Sequence, residues 1–71
     1  MADLTDKELP GYLLIHCATP VGLVHKRHLA RLHTLAGLHE EASQISNGER
    51  EWYRPSVEWI RELCQSIPGW E

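Results

Sequence analysis

The chain has 71 residues, with seven Lys and Arg against ten Asp and Glu and a formal charge of -3 when its five His are counted neutral. So short a chain buries only about 60% of the surface its unfolded form exposes, which leaves little interior for a dry substrate cleft and makes binding, not catalysis, the expected work. The acidic balance argues against a nonspecific polyanion binder. The longest apolar run, residues 12–15, is far too short to cross a bilayer, and the charged start MADLTDKELP does not read as a signal peptide, so a cytoplasmic location with Cys17 and Cys64 reduced is expected.

Residues 1–9 read as a flexible polar arm ahead of a single helical domain over residues 10–71, with Pro10-Gly11 as punctuation. Residues 12–17 are apolar without clear periodicity, which suits a short buried helix or a buried strand; the helical neighbourhood favours helix. Thr19-Pro20 has the chemistry of a helix start, a capping hydroxyl followed by a residue that needs no amide partner. From there a helix is expected to run to Leu35 or Ala36, with Val21, Val24, His28, Leu32 and Leu35 as its inward stripe and Gly37 as its stop.

A short second helix is expected over residues 39–46, with Glu40 and Glu41 in the first turn, where the helix dipole favours negative charge. Asn47-Gly48 ends it. Residues 49–54 are too polar for a core strand and read as an exposed loop leaning on the domain through one aromatic. Pro55 opens the last helix, in which Trp59, Ile60, Leu63 and Ile67 share a face, and Pro68-Gly69 closes it. The expected fold is all-α, a small bundle of three to four short helices containing a helix-turn-helix.

The run Ser43-Gln44-Ile45-Ser46-Asn47-Gly48-Glu49-Arg50, followed by Pro55-Ser56-Val57, resembles the end of the recognition helix and the following helix of phage-repressor-type helix-turn-helix proteins. The resemblance covers about half of the chain. Trp52-Tyr53-Arg54-Pro55 is similar to the loop before the last helix of small phage regulators and excisionase-like proteins. In this chain His39 stands where a capping Ser is usual and His33 where a small Ala is usual. The resemblance implies that the short polar helix enters the major groove of duplex DNA, that the preceding helix braces it against the backbone, and that a homodimer binds a palindromic operator.

On that reading Lys26, Arg27 and Arg31 contact phosphates, while His39, Ser43, Gln44, Asn47 and Arg50 belong to the reading surface; Gln44 and Asn47 have the chemistry for bidentate contact with adenine. Glu40 and Glu41 are poor neighbours for phosphates but can accept from cytosine amino groups. The competing class is a small protein-binding module that clamps a host protein through Trp52, Tyr53, Arg54 and Trp70, since exposed aromatics are common interface anchors. His25 and His28 could share one side of a helix, yet no further ligand stands at the spacing a structural metal site needs, and no orienting group accompanies a Cys/His pair as a nucleophile would require.

Overall fold

A computed structural model describes residues 4–70. In chain order they form α1 (Leu9–Cys17), β1 (Val24–His25), α2 (Lys26–Leu35), α3 (His39–Asn47), β2 (Trp52–Tyr53) and α4 (Val57–Gln65). This is the small helical bundle expected, with a two-stranded ribbon in addition. No helix among the described residues is long and apolar enough to cross a membrane.

The chain is ordered by local chemistry before α1 begins. Thr5 N–H donates to Glu8 Oε1 (3.1 Å) and Glu8 N–H to Thr5 Oγ1 (3.3 Å), a reciprocal box that satisfies two amides at once. Leu9 is then wholly buried, and Leu4 packs against the same core. Residues 4–9 are therefore not a loose arm but the docked entry to α1; residues 1–3 of that expected arm lie outside the described residues. Pro10 sits in the first turn of α1, where its missing amide costs no helical bond, so Pro10-Gly11 starts the helix and does not interrupt the chain.

The expected helix start at Thr19-Pro20 is not where α2 begins. Thr19 Oγ1 donates to the His16 carbonyl (2.7 Å) and accepts from Gly22 N–H (3.2 Å), so the hydroxyl expected to open a helix instead closes a turn. Gly22 takes φ 58° there, with Thr19 and Cys17 carbonyls 3.4 and 3.5 Å from where a Cβ would stand, a conformation an L side chain resists. Residues 24 and 25 extend, and Val24 pairs with Tyr53 and His25 with Trp52 in antiparallel register. The helix proper starts at Lys26, capped by His25 Nδ1, which accepts from Arg27 N–H (3.2 Å).

The expected inward stripe of α2 is accordingly revised. Val21 lies in the turn at 59% exposure, and Val24 is buried but belongs to the ribbon. The buried positions of α2 are Leu29, Ala30, Leu32 and His33, with Leu35 partly covered. Gly37 does end the helix: at φ 84° it lets its own N–H reach the Thr34 carbonyl and the Leu38 N–H reach the His33 carbonyl (2.8 Å), closing two otherwise open helix-end carbonyls. A three-residue turn then leads into α3, and α2 and α3 form a helix-turn-helix pair.

The main core is assembled by α1, β1, α2 and α4, through Leu9, Leu13, Val24, Leu29, Leu32, Ile60, Leu63 and Cys64. Ser56, not Pro55, caps α4, its Oγ accepting from Trp59 N–H (3.1 Å). Ile60 and Leu63 point inward as expected, but Trp59 does not join them. It is 38% exposed and stands edge-on to His33, centroids 5.5 Å apart. Residues 49–54, expected as a loop, contain β2; as anticipated, one aromatic of the pair, Tyr53, leans on the core while Trp52 faces solvent.

Leu63→Ala should cost about 2 to 5 kcal/mol by leaving a cavity, and Trp59→Ala should cost less, because Trp59 stands at the surface and its removal leaves no enclosed cavity. Urea denaturation of both variants checks the order; a larger loss at Trp59 would contradict this arrangement of α4.

Candidate nucleic-acid interface

The outer face of α3 follows from its sequence. Ala42 is its one buried residue and Ile45 is partly covered, so helical periodicity turns Glu40, Ser43, Gln44 and Asn47 to the opposite side, where all four are exposed. Asn47 Nδ2 donates to Ser43 Oγ (3.2 Å) one turn back, which fixes the amide relative to the hydroxyl. Small side chains let α3 approach α2 closely, and a shallow groove of about 520 Å³ runs between them, floored by Ala30 and Ala42 and edged by Arg27, Arg31, His39 and Ser43.

The basic cluster expected to hold phosphates is divided by its local partners. Lys26 Nζ donates to the Gly48 carbonyl (2.9 Å), tying the start of α2 to the end of α3. Arg31 Nη2 donates to the Leu4 carbonyl (2.9 Å) and pairs with Asp6 (2.6 Å). Arg27 is exposed, and among the described residues its guanidinium makes no hydrogen bond or ion pair. Arg50 is drawn away from α3: its Nε donates to the Trp52 carbonyl (2.9 Å) and its guanidinium lies 4.5 Å from the Tyr53 ring centroid.

The four aromatic-interface candidates do not share one surface. Trp52 borders a groove between α1 and the ribbon; Tyr53 and Arg54 line a depression with Arg50 and Trp59; Trp70 lies in a third place, beside Pro10, Leu35 and Ile67. The Trp52 groove holds residues that sequence reasoning did not assign together. Tyr12 stacks on His16 (5.5 Å, 10° between planes), and His25 meets Trp52 edge-on (5.1 Å, 87°). The spacing of Tyr12 and His16, four apart in a helix, was the available signal for half of it.

Burial raises the pKa of both thiols, Cys17 and Cys64, the direction opposite to that of an activated cysteine nucleophile. No family model, curated protein or solved structure matches this chain.

A raised thiol pKa leaves less thiolate at a given pH, so both cysteines should react slowly with an aromatic disulfide reagent at neutral pH and faster as pH rises. Cys64, enclosed in the core, should lag behind the partly buried Cys17. Labelling in urea supplies the unprotected rate; a native-state rate equal to it would contradict the packing of α1 against α4.

Proposed function

We propose that the protein is a small helix-turn-helix regulator that binds duplex DNA, as a homodimer, with α3 as its reading helix. The observation that carries this reading is the outer face of α3, on which Ser43, Gln44 and Asn47 stand together, exposed and uncharged, on a helix seated on α2 by an alanine contact. Hydroxyl and amide groups on one face of a helix are the groups that read base edges in a major groove.

The charges orient the encounter. Glu40 and Glu41 occupy the first turn of α3 and repel phosphates, whereas Arg27 flanks the groove edge and Lys26 sits against Gly48 at the far end of the helix. The reading therefore places the C-terminal half of α3 deepest, with Arg27 on the neighbouring phosphate backbone. Arg31 is held by Asp6 and joins only if that pair opens, and Arg50 supports the ribbon and not the DNA contact. Regulators of this size read palindromic sites by pairing two copies, which is why a homodimer accompanies the proposal.

Fluorescence anisotropy with a labelled duplex at several salt concentrations tests it. Arg27→Ala should weaken all duplexes alike and lower the salt slope by about one unit, and Gln44→Ala should erode preference among sequences instead. Asp6→Ala removes the carboxylate that pairs with Arg31, leaving only its bond to the Leu4 carbonyl, and should tighten binding and steepen the slope. The absence of any salt-dependent binding in the wild type, or slopes identical in all variants, would overturn the reading.

A further inference from the structure

Helix α1 departs from the pattern of a surface helix. A helix at the edge of a soluble domain ordinarily carries one apolar stripe and a polar face, but the polar side-chain groups of α1 are confined to the Tyr12 hydroxyl, His16 and Cys17. It buries Leu9, Pro10 and Leu13 inward while Tyr12 and Ile15 stand outward at 42% and 74% exposure. Beside this ridge runs the groove described above, with Tyr12 and His16 on one wall and Leu23, His25 and Trp52 on the other. Trp52 is 52% exposed and Leu23 is exposed as well. Apolar surface gathered in one place on a small domain marks a partner site.

The polar groups in the groove specify what kind of partner. Its titratable side chains are Tyr12, His16, His25, Arg27 and His28, without a carboxylate among them, although acids outnumber bases in the chain. His25 Nδ1 accepts from Arg27 N–H, so its ring proton is on Nε2 and that edge is a donor. The Arg27 guanidinium and the Trp52 indole are donor-only groups. The N-terminus of α2 lies at the same place; its Lys26 and Arg27 amides are already bonded, and its dipole favours negative charge. Every one of these features favours an anionic acceptor next to an apolar anchor.

We infer that the groove between α1 and the β1–β2 ribbon docks an acidic peptide segment of a protein partner, with an aromatic or aliphatic side chain against Tyr12, Leu23 and Trp52 and a carboxylate toward His25 and Arg27. A two-fold pairing of this groove with itself is disfavoured, because it sets the same patch against itself and the lining of neither side holds a carboxylate. The inference does not depend on the DNA reading: Arg27 edges both grooves, but Ser43, Gln44 and Asn47 do not line this one.

The test uses the whole chain and three blocked hexapeptides, each with Leu-Phe at its centre, flanked by Glu, by Lys or by Ser. Amide and indole chemical shifts give affinity and location. The Glu peptide should bind selectively and shift Trp52, His25 and Tyr12; Trp52→Ala and Leu23→Ser should each weaken it, the former by about tenfold or more. Trp70→Ala and Gln44→Ala should bind it as the wild type does, which separates this site from the DNA surface. No binding of the Glu peptide, equal binding of the Lys peptide, or tighter binding of a short oligothymidylate would overturn the inference. So would a wild-type dimer that Leu23→Ser dissolves.

Discussion

The pairing of β1 with β2 is the contact on which the arrangement of this molecule turns. It consists of two residue pairs, Val24 with Tyr53 and His25 with Trp52, and an isolated ribbon of that length would not persist in water. It persists here because Val24 is buried and Tyr53 packs on the core, so one pair is held by apolar contact through both its members and carries the His25–Trp52 pair with it. The ribbon joins the start of α2 to the chain leaving α3, and two further bonds reinforce the junction: Lys26 N–H to the Glu51 carbonyl (2.7 Å) and Lys26 Nζ to the Gly48 carbonyl (2.9 Å). Both ends of the α2–turn–α3 unit are thereby fixed, one by the ribbon and the other by the Gly37 turn.

This clamp matters because α3 has little apolar attachment of its own. Ala42 and Ile45 seat it, and the rest of the helix faces water. Its position is set by α2, which is in turn held by Leu29 and Leu32 in the core. The same ribbon that steadies α3 also creates the second surface, for register places Trp52 opposite His25 and turns its ring outward toward α1. One short pairing thus presents two chemically different faces: a polar one on α3 and an apolar, donor-rich one between α1 and the ribbon.

Much of the helix content could be read from local signals, and the misreadings have physical causes. Gly37 and Asn47-Gly48 were visible because helix ends demand residues of their kind, and Ile60 and Leu63 because α4 is strongly amphipathic. Val24 was absorbed into a helical stripe because 21, 24, 28, 32 and 35 happen to fit a 3.6-residue period, while a two-residue strand is too short to show a period of its own. Thr19 carries hydroxyl chemistry that serves a turn as well as a cap. The Thr5–Glu8 box had a sequence signature, Thr-Asp-Lys-Glu, that an expectation of a loose arm overlooked. In the candidate site, Ser43, Gln44 and Asn47 could be grouped by spacing alone. The fates of Arg31 and Arg50 could not, because Asp6 and Tyr53 are brought to them by tertiary packing, and Trp52 and Trp70 are separated for the same reason.

The claim most exposed to test is that the clamped α2–α3 unit presents α3 to duplex DNA. Amide chemical-shift mapping of the full chain with a duplex selected from a random pool addresses it directly. The account predicts that shifts concentrate on residues 39–47 and on the first turn of α2, with Trp52 and Tyr12 little changed. Shifts confined to the groove between α1 and the ribbon, or spread without pattern over the surface, would contradict it.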